Sequence, residues 1–160
     1  MKGDDVEEVL AIEQASFPTP WSRLAFLSEL LENERAVYLV AREEGRIIGY
    51  VGMWRILEEG HITNLAVHPD ARRRGVGRRL LQTLCDLAQA RGLHRLTLEV
   101  RVSNATAQRL YESFGFQAAG VRPGYYQDNN EDALIMWLDL PEPARDEERR
   151  PAHSRPGSGR

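Results

Sequence analysis

Leu65-Ala66-Val67-His68-Pro69-Asp70-Ala71-Arg72-Arg73-Arg74-Gly75-Val76-Gly77-Arg78-Arg79 is the stretch on which the reading of this chain turns. Its apolar start closes a predicted strand, His61–Val67, and Pro69 stops that strand. From Gly75 to Arg91 the pattern is helical: Leu80, Leu81, Leu84, Leu87 and Ala88 share one side, and Gly92 ends the run. Beyond it, Leu96, Leu98, Val100 and Val102 alternate with Thr97, Glu99 and Arg101, the period of a strand. Strand, helix and strand in that order predict a parallel crossover. The helix start carries a physical consequence. Its first N–H groups lack partners and sit at the positive end of the helix dipole, which favours an anion. Gly75 and Gly77 keep Cβ atoms out of the way of a phosphate, and Arg72, Arg73, Arg74, Arg78 and Arg79 add charge around it.

The flanking segments fit a mixed α and β domain. Asp4-Asp5 are candidate caps for a helix with Val6, Val9, Leu10 and Phe17 on its apolar side, broken by Pro18-Thr19-Pro20. Ser22 caps a second helix, whose apolar positions read as Leu24, Leu27, Leu30 and Leu31. Ala36–Arg42 and Arg46–Leu57 are strands joined at Glu44-Gly45, and Glu58-Glu59-Gly60 closes the second. Asn104–Phe114 is a helix with Ala107, Leu110, Tyr111 and Phe114 on one stripe and Gly115 beyond it. Phe116–Arg122 and Ala133–Leu140 are the last strands. Short turns between strands imply antiparallel hairpins around the parallel crossover. The predicted fold is a central mixed sheet with helices on both faces.

Residues 1–140 form the predicted domain, and 141–160 a charged tail too poor in apolar residues to offset its ordering entropy. The domain alone carries 16 basic and 20 acidic residues. A general nucleic-acid binder is therefore disfavoured. No apolar run reaches the roughly 20 residues of a membrane helix. Cys85 is the single cysteine, which excludes an internal disulfide and points to a reducing cytoplasm. It falls mid-helix among Leu81, Leu84 and Ala88, so it reads as a core residue rather than an acyl carrier. His61, His68, His94 and His153 lack metal-ligand spacing, and no metal site is predicted. Of the 21 cations only Lys2 is lysine, and five of the 20 arginines fall within eight residues at the glycine turn.

A Walker loop is excluded because no Gly-Lys-Ser/Thr follows, and a Rossmann fingerprint because its third glycine is absent. Taken alone, so short a glycine match is more often a solvated charged loop. Arg72-x-x-Gly75-x-Gly77 after a strand, however, resembles the acyl-CoA pyrophosphate loop of the GNAT N-acetyltransferase superfamily. Glu99-Val100-Arg101-Val102-Ser103-Asn104, with Ala107, Leu110-Tyr111-Glu112 and Gly115-Phe116, resembles the second cofactor motif of that family. Phe17-Pro18-Thr19-Pro20-Trp21-Ser22, Tyr125-Tyr126 and Glu131-Asp132-Ala133-Leu134-Ile135-Met136 resemble the ribosomal-protein alanine N-acetyltransferases within it. The resemblance spans about residues 4–140. Members usually begin with a short edge strand; here only Met1-Lys2-Gly3 precede Asp4, so either that strand is missing or the start is late.

The resemblance implies a GNAT fold, with a mostly antiparallel sheet splayed between two parallel strands, and acetyl-CoA as cosubstrate. It implies that Glu99 accepts the proton of the attacking amine and that Tyr111 protonates the departing sulfur. On residues alone Glu99 is an ordinary polar-face glutamate and Tyr111 a core aromatic. Leu65, Ala66 and Val67 are expected to offer backbone N–H groups to the pantetheine arm and the acetyl carbonyl. Arg72, Arg73, Arg74, Gly75, Val76, Gly77 and Arg78 are expected to hold the pyrophosphate, chiefly through main-chain N–H groups. Asn104 is a helix cap that by resemblance also touches the cofactor. Trp21, Tyr125 and Tyr126 are expected to wall the acceptor site, although Trp21 reads equally as an anchor between two helices. The implied acceptor is the basic N-terminal peptide of small-subunit ribosomal protein eighteen, beginning with alanine, attacked directly in a ternary complex. The alternatives are other protein N-termini, a lysine, a small amine such as a polyamine, or a non-catalytic CoA-binding scaffold. The expected state is a monomer or weak dimer with no membrane and no direct nucleic-acid contact.

Overall fold

Glu44 and Gly45 both take positive φ, 52° and 81°, which gives the two-residue turn that matches the twist of a hairpin. That turn joins β1 (Ala36–Glu43) to β2 (Arg46–Ile56). Residues 1–142 are described in this computed structural model. The rest of the predicted tail lies outside the described residues. Gly3–Asp5 form a 3-10 turn that runs into α1 (Val6–Ser16), followed by α2 (Arg23–Glu32), β1 and β2. Then come β3 (Glu59–Val67), α3 (Val76–Ala90), β4 (Arg95–Arg101), α4 (Ala105–Ser113), β5 (Gln117–Tyr126) and β6 (Glu131–Asp139).

The six strands lie in the order β1-β2-β3-β4-β6-β5. Only β3 and β4 are parallel; the other four neighbouring pairs are antiparallel. Helices cover both faces, as predicted. One core holds Val51, Met53, Ile62, Leu96, Leu98 and Val100 against Leu80, Leu81, Leu84 and Cys85 of α3 and Tyr111 of α4. The opposite core holds Tyr38, Ile47, Tyr50 and Ala66 against Val6, Val9, Leu10 and Ile12 of α1 and Phe26 of α2. Because both faces are covered, β2 is buried without interruption from Ile47 to Met53.

The parallel pair is short. Glu59, Gly60 and His61 register with Arg95, Leu96 and Thr97, and nothing beyond them pairs. On its other side β3 carries a bulge, since Gly52 pairs with Asn64 and Met53 with Ile62, leaving Thr63 as the extra residue. A bulge bends and twists its strand, and here it lies where β3 leaves β4. Gly60 allows the shared part to close. A Cβ there would stand 2.6 Å from both Leu96 Cδ2 and Met53 Sδ.

Several local expectations change. Leu24 and Leu31 are 76% and 77% exposed, so they are not the buried face of α2; that place belongs to Phe26, at 0%. Leu27 and Leu30 do pack against this core, as expected, but Phe26, which reaches Tyr38 and Tyr50, takes its centre. Asp5 does not cap α1 with its side chain. Its carboxylate accepts from the Lys2 N–H (2.8 Å) and from Arg42 (2.6 Å). Phe17 follows α1 rather than belonging to it, and Ile12 takes the buried position. β3 begins at Glu59, since Leu57 at φ 55° makes the turn. Val102 lies past β4 and is 47% exposed. β5 extends to Tyr126, and β6 starts at Glu131 rather than Ala133. Among the described residues Gly3–Asp5 form a 3-10 turn ahead of α1, and the Met1 ammonium donates to the Tyr38 carbonyl of β1 (3.2 Å). No helix among the described residues is long and apolar enough to cross a membrane.

The corrected α2 face gives a contrast. Phe26→Ala is expected to cost about 3–5 kcal/mol, whereas Leu31→Ala is expected to stay within about 0.5 kcal/mol, both read from urea unfolding.

Candidate active site

Where β3 and β4 separate, the sheet opens into a cleft of about 870 Å³. Its walls come from Ile62–Leu65 of β3, Leu98–Arg101 of β4, Asn104, Ala107 and Tyr111 at α4, the 16–21 loop, and 125–128 at the β5–β6 turn. Seven of the predicted site residues meet there: Leu65, Glu99, Tyr111, Asn104, Trp21, Tyr125 and Tyr126.

Alternation along β4 sends Leu98 and Val100 into the α3 core and leaves Glu99 on the polar face. The Glu99 side chain is nonetheless only 9% exposed. Its Oε2 lies 2.5 Å from His61 Nε2, and its Oε1 lies 3.5 Å from Arg122 Nε. Burial alone would raise the pKa of this carboxyl by disfavouring its charged form. The hydrogen bond and charge of His61, with the Arg122 guanidinium, outweigh burial and hold it below the usual carboxylate range. Tyr111, by contrast, is driven upward by burial, with a smaller push from Tyr126, so its phenol keeps its proton at neutral pH. Its ring packs edge-on against Phe116 at 5.5 Å.

Asn104 caps α4, its Oδ1 accepting from the Ala107 N–H (3.1 Å), and it also lines the cleft. Trp21 packs between the first two helices and also borders the cleft. Its ring lies 5.3 Å from Phe26 in the α1–α2 core, and its backbone N–H donates to Glu13 (2.9 Å). Tyr125 and Tyr126 stand perpendicular at 5.1 Å. Arg101 stacks over Tyr126 at 4.0 Å and bonds both oxygens of Asp128 (3.0 and 2.9 Å) and Glu131 (3.2 Å). The tyrosine wall is thus braced from β4.

The glycine turn lies outside this cleft but leads into it along β3. Gly75 takes φ 78° at the N-cap of α3, and a Cβ there would meet nothing within 4 Å, so the space beside it is open. The first backbone bond back into the helix is Arg79 N–H to Gly75 O, so Val76, Gly77 and Arg78 have no backbone partner for their N–H groups. That donor set fits a pyrophosphate. The arginine side chains are less uniform than their clustering suggests. Arg72 donates to the Val67 carbonyl (3.1 Å) and to Ser16 (3.2 Å), bracing the loop. Arg74 is engaged with Glu43 at 3.2 Å, and Arg78 lies over Phe114 at 5.4 Å. Arg73 takes φ 65°, the left-handed region. Val76 and Ala66 turn their side chains into the two cores, leaving only backbone for a ligand.

Sequence reading passed over four contributors: His61 and Arg122, which grip Glu99; Arg101, which braces the tyrosines; and Glu13. Glu13 is 2% exposed and accepts from the Trp21 backbone N–H and the Tyr50 hydroxyl. The signal for His61 lies in strand register, not in any one segment. Parallel register brings it beside Thr97, on the polar face that Glu99 shares.

These features define a class: an open parallel pair feeding a helix-start anion site, with a carboxylate and a phenol at the gap. The Acetyltransferase (GNAT) family matches residues 6–116, and the chain belongs to it. A Bacillus subtilis relative is 44% identical over 142 residues, covering 89% of this chain and 94% of its own. The ribosomal protein bS18-alanine N-acetyltransferase of Escherichia coli K12 is 40% identical over 138 residues, covering 85% of this chain and 92% of its own. The crystal structure of ribosomal-protein-S18-alanine N-acetyltransferase from Escherichia coli superimposes with TM-score 0.82 at 38% identity, over 91% of this chain and 94% of that one. The fold is the GNAT fold, and the enzyme is an acetyl-CoA-dependent N-acetyltransferase.

Cys85 takes no part in the cleft. It is buried in the α3 core, and burial pushes its thiol up to about 11. Cys85→Ala is expected to leave acetyl transfer near the wild-type rate, and the folded protein is expected to resist thiol reagents at pH 8. A large rate loss in an intact Cys85→Ala fold would instead reveal an acyl carrier.

Proposed function

We propose that this chain transfers acetyl from acetyl-CoA to the N-terminal alanine of ribosomal protein bS18. The single observation that carries the chemistry is the meeting of Glu99 and Tyr111, from β4 and α4, at the gap between β3 and β4. The acceptor rests on the extent of likeness to enzymes named for that substrate.

The thioester supplies an acyl group activated for transfer; the remaining work belongs to the chain. The N–H groups at 76–78 and the glycine turn would hold the pyrophosphate, and Asn104 would contact the same molecule. Leu65, Ala66 and Val67, on the part of β3 free of β4, would offer backbone N–H groups to the pantetheine arm and to the oxygen that gains charge during attack. Trp21, Tyr125 and Tyr126 wall the acceptor side, with apolar rings and polar tips suited to a peptide backbone.

An amine attacks only when neutral. At pH 7 an α-amine is roughly 10% neutral and a lysine about one in 2,500. A weak carboxylate base therefore suits an N-terminus better than a side chain. The amine nitrogen bonds to the acetyl carbon and gives its proton to Glu99, directly or through water. The carbon–sulfur bond breaks, and Tyr111 delivers a proton to the sulfur. This is direct transfer in a ternary complex, and it uses no enzyme nucleophile. Glu99 is held ionised, as a base must be, and Tyr111 is held protonated, as an acid must be.

Two measurements test the reading. Deleting the gene and weighing bS18 by mass spectrometry should reveal an unacetylated N-terminus; unchanged acetylation contradicts the assignment. In vitro, Glu99→Gln and Tyr111→Phe should each lower kcat on an N-terminal alanine peptide by about 100-fold. Turnover of a polyamine or of a blocked lysine peptide, but not of the free N-terminus, would move the acceptor class.

A further inference from the structure

His61 is left out of the chemistry so far, yet it makes a short polar contact with Glu99. His61 sits at the last shared position of β3 and β4, opposite Thr97, and Glu99 follows two residues beyond Thr97 on the same polar face. Glu99 Oε2 lies 2.5 Å from His61 Nε2. An ionised carboxylate can only accept, so the proton of this contact sits on Nε2. His61 is not among the residues that line the cleft, whereas Glu99 is, so the imidazole reaches the cleft only through the carboxylate.

The imidazole is itself held. Trp54 of β2 meets it edge-on at 6.5 Å, and the Trp54 indole N–H donates to Glu29 of α2 (2.5 Å). A chain of fixed groups thus runs from α2 through Trp54 and His61 to Glu99. The other charged and titratable groups facing this point are Arg122, Tyr125 and Tyr126 of β5, Arg101 of β4 and Glu13 of α1. Arg122 lies 3.5 Å from Glu99 Oε1 with a side chain 57% exposed, a looser partner than His61 at 26%. Arg101 is committed to Asp128 and Glu131, and Glu13 to Tyr50 and Trp21. Among the described residues only His61 grips Glu99 at hydrogen-bond distance.

We infer that His61 is a positioning residue for acetyl transfer: its Nε2–H fixes one oxygen of Glu99 and leaves the other to meet the amine. This rests on the reading of Glu99 as the proton acceptor. The logic is that of a catalytic pair in which a second group orients the first. A buried carboxylate without that bond is free to turn, and burial then favours its protonated form. Both effects lower the fraction of enzyme ready to take a proton.

The test compares His61→Ala, His61→Gln and Glu99→Gln on an N-terminal alanine peptide with saturating acetyl-CoA, from pH 5 to 9. His61→Ala should lower kcat about tenfold or more with little change in peptide KM. The pH below which log kcat/KM steepens from slope one to slope two should also move upward. That slope counts the amine and Glu99, and loss of His61 removes a group that lowers Glu99 while burial still raises it. His61→Gln keeps an N–H at the same reach and should recover most of kcat and return the break towards its wild-type position. A structural role alone would lower both variants without moving the break. An unmoved profile in His61→Ala, or a His61→Gln enzyme as slow as His61→Ala, overturns the inference while a slow Glu99→Gln enzyme leaves the function standing. A Glu99→Gln enzyme at wild-type speed overturns both.

Discussion

The parting of β3 from β4 after three shared positions is the constraint on which the rest of this molecule depends. Strands that stay paired satisfy each other's backbone. A parallel pair that opens leaves a wedge in the middle of a sheet, and the wedge must be walled by other elements. Here α4 and the β5–β6 turn wall one side, and the loop after α1 walls the other. The same parting explains why the β4 polar face is useful. Glu99 is shielded from water and paired to β6 on one side, yet on its other side β3 has already parted from it.

Two kinds of force keep the wedge open. One is packing: Gly60 lets Leu96 and Met53 close the zipped end, while the α3 core holds Leu98 and Val100 on the far side of the sheet. The other is local backbone geometry, the bulge at Thr63 that turns β3 away. Polar anchors then fix the rims. Arg101 ties β4 to the β5–β6 turn, Glu13 ties α1 to Trp21 and Tyr50, and Arg72 ties the glycine turn to Val67 and Ser16. These anchors are paired, and each serves position rather than bulk stability. A buried pair adds little net free energy, but breaking one partner leaves an uncompensated charge.

Much of this was legible in the chain. The strand–glycine turn–helix unit announces itself through an apolar strand stopped at Pro69 and a helical apolar stripe from Gly75 onward. Strict alternation along 96–101 places Glu99 correctly, and Ser22 and Asn104 cap the helices they were expected to cap. What stayed hidden depends on distance in space. Phe26 outranked Leu24 and Leu31 because Tyr38 and Tyr50 come from strands far along the chain. The sequence also does not show that the Arg72 and Arg74 guanidinium groups bond Val67, Ser16 and Glu43. The pairing of His61 with Glu99 needs the register of a parallel pair, which no single segment encodes.

The arginine-rich turn, the open strand pair and the Glu99–Tyr111 pair form one continuous path along β3 from α3 to the tyrosine wall. The most direct measurement is a crystal structure with CoA and an N-terminal alanine peptide bound together. The account predicts the pyrophosphate on the N–H groups of residues 76–78, the pantetheine arm between β3 and β4, and the peptide amine within hydrogen-bond or one-water reach of Glu99. A peptide amine held on another face of the sheet, with Glu99 contacting nothing, would contradict it.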